Sequence, residues 1–124
     1  MSELPARHSI ISGINIKNII AVPSTTIDSV AASMGFHKVD FIKNDVEGAE
    51  PHVLEGARKI IETSKDLQIV MEFTCEEWRD HQKLLQYLFQ TFEVFEVKRS
   101  PFLLERVNIE LVKEGPRRHL YFRR

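Results

Sequence analysis

The sequence contains a single cysteine, Cys75, so an internal disulfide bond is excluded. A lone cysteine agrees with a reducing compartment, and we predict a cytoplasmic protein. No apolar run approaches the roughly 18 residues that a membrane span needs, so we expect no membrane contact of that kind. The first residues, MSELPARHS, lack the basic start and apolar core of a secretory signal. The formal net charge is −1, which gives no general case for binding nucleic acid or an anionic membrane.

Glycine is sparse as well, and no two of the five glycines stand in a G-x-G spacing. No strand, Gly-rich turn and helix precede Asn18, although that arrangement forms the nucleotide-cofactor site of Rossmann-like folds. The sequence therefore offers no such nucleotide-binding segment, and we assign no cofactor-binding residues. The five histidines show no metal-ligand spacing and form no Cys/His cluster, so no metal site is predicted.

The most informative stretch is VDFIKNDVEGAEPHVLEGARKII, from Val39 to Ile61. Its apolar start predicts a short strand, and Pro51 suits the first turn of a helix, where its missing N–H group costs nothing. Apolar residues at helical spacing then predict an amphipathic helix to the end of the stretch. Between strand and helix lie three acidic residues, Asp45, Glu47 and Glu50. Their repulsion is costly unless water, a cation or a ligand offsets it, and ligands of open α/β sheets bind at this edge.

Strands and helices alternate along the chain, which predicts an α/β fold with parallel pairing and right-handed crossovers. We expect a loosely structured lead-in over residues 1–17 and a folded part over residues 18–124. The predicted elements are a strand at 18–22, a helix capped by Thr25 or Thr26, the strand and helix described above, a strand at 67–73, a helix at 76–91 and a strand at 92–97. Residues 107–111 alternate as in a strand, and residues 120–124 predict a last strand.

A run of residues within the central stretch resembles a known family. Lys43 is followed by an Asp-x-Glu-Gly-x-Glu run, at 45–50, and by a Val-Leu-x-Gly-Ala helix, at 53–57. This pattern resembles the FkbM family of S-adenosylmethionine-dependent methyltransferases. The segments TTIDSV, at 25–30, and QIVMEF, at 68–73, resemble the flanking segments of that family. The resemblance covers roughly residues 18–97, and only the C-terminal half of the family's domain.

The resemblance implies the second half of a Rossmann-like, class I methyltransferase-type sheet, mostly parallel with antiparallel late strands. It also implies methyl transfer from S-adenosylmethionine to a hydroxyl oxygen of a sugar or other small-molecule acceptor. Asp45 or Glu47 would accept the hydroxyl proton, and Glu50, Glu72 and Lys43 would bind the substrate. Glu72 belongs to this set because it ends the strand at 67–73, which places it at the same edge of a parallel sheet.

Structural explanations compete with these roles. Glu47 and Glu50 complement the positive end of the following helix, and Lys43 alternates onto the face of Asp45, where the two could form an ion pair. The chain as a whole has an alternative: a truncated, non-catalytic remnant or an assembly module that keeps the fold without the reaction. Methyl transfer, by contrast, would need a missing N-terminal half or a partner chain. The basic tail after Lys98 leaves a nucleic-acid-binding module as a third hypothesis, but a solvated face explains its scattered charges better.

Overall fold

Residues 18–124 are described by a computed structural model, in which strands and helices alternate. The strands are β1 (Phe41–Asn44), β2 (Gln68–Phe73), β3 (Glu93–Arg99), β4 (Phe102–Arg106) and β5 (Arg118–Arg123). The helices are α1 (Ile27–Met34), α2 (Glu50–Glu55), α3 (Arg58–Thr63), α4 (Gln82–Thr91) and α5 (Ile109–Val112), and a 3₁₀ turn spans Cys75–Trp78. None of the helices described here is long and apolar enough to cross a membrane. The predicted lead-in, residues 1–17, lies outside the described residues.

The strands form one sheet in the order β1-β2-β5-β3-β4. β1 and β2 pair in parallel, with Asn44 opposite Met71, and the other pairings are antiparallel. The predicted α/β class and antiparallel late strands are confirmed. The prediction of a mostly parallel sheet is wrong, because β5, last in the chain, enters between β2 and β3 against the direction of both.

The core lies between the helices and one face of the sheet. Alternate residues of a strand point to the same face, and Ile69, Met71 and Phe73 of β2 are buried beside Leu120 and Phe122 of β5. The helices contribute to the same cluster with Leu54, Ala57, Ile61, Leu84, Leu85 and Leu88. The opposite face of the sheet is half-buried or exposed, and both edge strands, β1 and β4, lie at the surface of the described part.

Helix α1 begins and ends where the sequence predicts. The Thr26 hydroxyl oxygen accepts a hydrogen bond from the Ser29 N–H at 3.0 Å, and Gly35 follows the helix at a left-handed φ of 74°. The carboxylate of Asp28 also accepts hydrogen bonds from the N–H groups of Lys59 and Ile60, at 3.0 and 2.9 Å. One aspartate in α1 therefore caps the start of α3.

The helix predicted after Pro51 is divided at Gly56 and Ala57 into α2 and α3. The Asp28 N–H donates to the carbonyl oxygen of Gly56 at 2.9 Å, and a Cβ on Gly56 would lie 3.0 Å from the Cβ and Cγ2 of Thr26. Helix α1 thus packs closely against the chain at Gly56, where the helix after Pro51 is interrupted. The apolar stripe predicted for a single helix is buried in both halves.

Three other predicted elements differ from the structure. The strand predicted at residues 18–22 is not formed. This short apolar segment, which ends at Pro23, pairs with no strand of the described part. Residues 109–112 form α5 instead of a strand, because the Asn108 side-chain oxygen accepts a hydrogen bond from the Leu111 N–H at 2.9 Å and caps a helical turn. The helix predicted from residue 76 starts only at Gln82, after the 3₁₀ turn.

Candidate functional site

The acidic turn after β1 is closed by one of its own carboxylates. Glu50 is 2% exposed, and its two carboxylate oxygens accept hydrogen bonds from the N–H groups of Val46 and Gly48, at 2.9 and 3.0 Å. Glu47 and Gly48 have φ values of 55° and 105°, in a region that residues with a side chain rarely adopt. Charge-assisted hydrogen bonds offset such a backbone cost, so Glu50 fixes the shape of the turn.

Asn44, the last residue of β1, supports the same turn from inside the protein. Its side chain is completely buried, and its Nδ2 donates to the carbonyl oxygen of Glu50 at 3.1 Å. The same nitrogen lies 4.0 Å from the sulfur of Met71. Its Oδ1 makes no hydrogen bond to any described residue. A buried amide oxygen without a donor is costly, and packing alone gives no reason for it.

Charged side chains from three strands meet at this edge of the sheet. The β1–β2 pairing ends with Asn44 opposite Met71, and Asp45 and Glu72 are the residues that follow this last pair. Glu72 forms an ion pair with Arg117, with 2.9 Å between Nε and Oε1. Arg117 directly precedes β5, which starts at this edge because it runs antiparallel to β2. The edge therefore combines carboxylates with a guanidinium group.

Glu77, in the 3₁₀ turn after β2, adds a carboxyl group with an altered proton affinity. Burial raises its pKa above the usual 4.5, the charges on Glu50 and Glu72 raise it further, and Arg117 lowers it. A side-chain hydrogen bond with Glu50 also raises this pKa. Active sites raise the pKa of a carboxyl group in the same way, by burial and by neighbouring carboxylates.

The predicted site residues take different positions around the turn. Asp45 and Glu47 are exposed, Glu72 is half-buried, and Glu50 is turned inward to the backbone. Lys43 is exposed on β1 and forms no ion pair with Asp45, although both residues are described, so the ion pair considered from the sequence is not formed. The catalytic and substrate-binding roles of these five residues stay predictions.

Three contributors to the edge are not predicted by the sequence: Asn44, Glu77 and Arg117. Asn44 carries the one available signal, since it is an amide that shares the buried face of β1 with Ile42. Glu77 reaches the edge only because a 3₁₀ turn follows β2. Arg117 reaches it only because β5 lies next to β2, which no local pattern specifies.

Two histidines also meet nearby, although they are far apart in the sequence. The rings of His52 and His81 have centroids 5.0 Å apart at an interplanar angle of 83°. They do not form part of a metal site: among residues 18–124, no group of three or more His, Cys, Asp or Glu side chains could hold a metal ion.

The comparison with protein families identifies the chain. A family model described as the methyltransferase FkbM domain matches residues 2–97. The chain belongs to the FkbM methyltransferase family. The match confirms the resemblance drawn from the acidic run, and it includes the turn, the end of β2 and Glu77, whereas Arg117 lies beyond it. No curated protein and no solved structure matches the sequence.

FkbM methyltransferases in general use S-adenosylmethionine, whose carboxylate and nucleoside both need binding groups from the protein. Backbone N–H groups in a turn before a helix are natural donors to an anion such as the cofactor's carboxylate. Here Glu50 already occupies the N–H groups of Val46 and Gly48. The described part of this FkbM chain also contains no G-x-G turn. The described edge therefore does not fit the cofactor.

Proposed function

We propose that this FkbM-family chain takes part in methyl transfer to a hydroxyl oxygen of a sugar or similar small molecule, and that it supplies the acceptor side of the site. The observation that carries the proposal is the pair of exposed carboxylates, Asp45 and Glu47, on a turn fixed by Glu50. Ligands of open α/β sheets bind at this edge. In this family S-adenosylmethionine supplies the methyl group.

Each residue of the edge has a role suited to its position. The acceptor hydroxyl must be aligned and must lose its proton, and Asp45 or Glu47 is exposed and able to accept it. Glu72, held by Arg117 at 2.9 Å, accepts a hydrogen bond from a second hydroxyl group. Lys43 contributes a cation near the end of β1. Glu50 acts as a positioning residue, because both of its carboxylate oxygens bind the turn.

The proposal assigns the nucleoside of the cofactor to residues outside 18–124 or to a partner chain, since the described edge does not fit it. The first measurement is calorimetric titration of S-adenosylmethionine into the purified chain. Saturable binding would mean that the purified chain completes the cofactor site. Absence of binding to a folded chain would mean that the nucleoside needs a partner chain, or that the alternative below applies.

The decisive test is transfer of a radiolabelled methyl group from S-adenosylmethionine to a panel of monosaccharides and hydroxylated lactones. A methyl ether survives alkali and a methyl ester does not, so alkali-stable label supports a hydroxyl acceptor. Asp45→Asn or Glu47→Gln is expected to reduce the rate by roughly 10²-fold or more, as for loss of a general base. Asp40→Asn, an exposed carboxylate before β1, is the matched control. Cofactor binding without transfer to any hydroxyl, or alkali-labile label, contradicts the proposal.

A specific observation favours a second function, that of a non-catalytic assembly module. Large apolar side chains are exposed at both edges of the sheet, with Phe41 of β1 at 56% and Phe102 of β4 at 74%. Exposed apolar edges are typical of surfaces that pair with another chain. A folded chain that associates through these edges and gives no methyl transfer in the radiolabel test would support this second function over the first.

A further inference from the structure

Strand β4 is an unprotected edge of the sheet. All five of its residues are exposed, and Phe102, Leu103 and Leu104 are 74%, 40% and 43% exposed. Its register with β3 continues without a bulge over the whole strand. Natural edge strands are usually protected by shortness, charge, proline, a bulge or a covering element. β4 is short and follows Pro101, but its apolar residues 102–104 carry no charge, bulge or covering element within the described residues.

The pairing with β3 determines which backbone groups of β4 stay available. The Val107 N–H donates to the carbonyl oxygen of Val94 at 3.0 Å, so these opposed residues form a hydrogen-bonded pair. Alternation then directs the backbone groups of the odd-numbered residues of β4 to β3. The even-numbered residues, Phe102, Leu104 and Arg106, direct their N–H and C=O groups away from the sheet.

We infer that β4 pairs with β4 of a second copy of this chain, antiparallel about a two-fold axis through Leu104. The two sheets then become one continuous sheet, and Leu104 lies opposite Leu104 of the second copy. Phe102 lies opposite Arg106 in the same register, and Leu103 lies opposite Glu105. The three residues with outward backbone groups all fall at hydrogen-bonded positions, so the free edge of each copy satisfies that of the other.

Side-chain chemistry favours this register over its neighbours. An axis through Glu105 would set two carboxylates directly opposite each other, which is destabilising. An axis through Leu103 would leave Arg106 outside the paired strands. The axis through Leu104 instead sets the Arg106 guanidinium against a phenylalanine ring. The sheet already contains an arginine–phenylalanine contact between diagonal neighbours, since the Arg123 guanidinium carbon lies 4.7 Å from the Phe95 ring centroid. Within its own sheet, Arg106 also lies 3.5 Å from a Glu93 carboxylate oxygen.

The self-complementarity of β4 is what selects a second copy as the partner. In the two-fold register no like charges oppose each other, since Glu105 lies opposite Leu103 and Arg106 lies opposite Phe102. A five-residue strand from each copy is a small interface, so we expect a dimer that dissociates on dilution.

The test is sedimentation velocity of the whole chain over a wide range of concentration. We expect a monomer–dimer equilibrium for the native sequence, and for Leu104→Lys an association constant at least about tenfold lower, because two ammonium groups then meet at the axis. Met34→Lys is the matched control: Met34 is an exposed apolar residue at 62%, on α1 instead of β4. Far-ultraviolet circular dichroism of each variant verifies that it is folded.

A mixing experiment distinguishes two-fold pairing from any other use of β4. Neither Leu104→Lys nor Leu104→Glu should dimerise alone, and an equal mixture should form a dimer of one chain of each kind, which native mass spectrometry identifies by mass. A native sequence that is monomeric at every concentration overturns the inference. A dimer that survives Leu104→Lys, or one that is lost in Met34→Lys, also overturns it. So does a mixture of the two Leu104 variants that does not recover association, which is the result expected if β4 pairs with β1 or with a different protein.

Discussion

The carboxylate of Glu50 accepts a hydrogen bond from the backbone N–H of Gly48 at 3.0 Å, across the turn that joins β1 to α2. The same carboxylate accepts the N–H of Val46, so the buried acid of the FkbM motif serves as an internal anion for its own turn. Such N–H groups would otherwise bind an anion from outside. The acids left to meet a substrate are therefore Asp45 and Glu47.

Glu50→Gln should destabilise the protein by roughly 1–3 kcal/mol, because an amide offers one acceptor oxygen where the carboxylate offers two, and its NH₂ group would oppose a backbone N–H. The expected readouts are a lower urea midpoint and faster hydrogen exchange at the Val46 and Gly48 amides. Glu47→Gln is the matched control, since its side chain is exposed and neighbours the same turn. Equal stability of the two variants, with the Gly48 amide still protected, would contradict the role of Glu50.

Glu77→Gln should make stability less dependent on pH. Burial and the neighbouring carboxylates raise the pKa of Glu77 in the folded protein above 4.5, so folding favours its protonated form. By linkage, its contribution to stability is fully present below pH 4.5 and is lost as the pH rises through the raised folded value. Glutamine is neutral throughout, so Glu77→Gln should gain stability relative to the native sequence at pH 8 but not in acid.

Urea titrations at acidic and alkaline pH measure this difference. Glu76→Gln, which changes the exposed neighbouring residue in the same 3₁₀ turn, should not reproduce the gain. If Glu77→Gln shifts the urea midpoint by the same amount at both pH values, the raised pKa is not supported.

Much of the fold is predictable from local signals. Thr26 and Gly35 bound a helix because a cap and a left-handed stop act within a few residues, and the apolar run at 68–73 forms a strand as expected. The sheet's pairing is not local. Whether β5 enters beside β2 depends on contacts between residues about fifty positions apart, such as Val70 with Tyr121, and the sequence pattern carries no record of them.

The candidate site likewise has a part that local sequence signals predict and a part that they do not. The acidic run, its turn and Glu72 follow from strand ends and parallel pairing of β1 with β2. The inward orientation of Glu50 could not be predicted in this way, because a glutamate at a helix start is ordinarily exposed and interacts with the helix dipole. Glu77 and Arg117 join the edge through a 3₁₀ turn and an antiparallel strand, neither of which has a distinctive pattern in this sequence.

Gly56→Ala should cost about 1–3 kcal/mol, because the new Cβ would lie 3.0 Å from two carbon atoms of Thr26. Thr26→Ser removes the Cγ2 while keeping the hydroxyl cap of α1, so the double variant should lose less stability than the sum of the single changes. Gly35→Ala serves as the control: its cost arises from a φ of 74° with no atom within 4 Å of the added Cβ, so Thr26→Ser should not reduce it. Additive losses for Gly56→Ala and Thr26→Ser, measured by urea unfolding, would contradict a costly contact with the Thr26 Cγ2.

Arg117 and Glu72 should shift the titration of Glu77 in opposite directions, although they form an ion pair with each other. Arg117 lowers the pKa of Glu77 and Glu72 raises it, so Arg117→Gln should move the Glu77 titration to higher pH and Glu72→Gln should move it to lower pH. The measurement is the pH dependence of the Glu77 carboxyl carbon shift by nuclear magnetic resonance. Arg99→Gln, an exposed cation at the end of β3, should leave the midpoint in place. Shifts of the same sign in the first two variants would mean that the carboxyl responds to rearrangement of the edge, and that these two charges do not set its proton affinity.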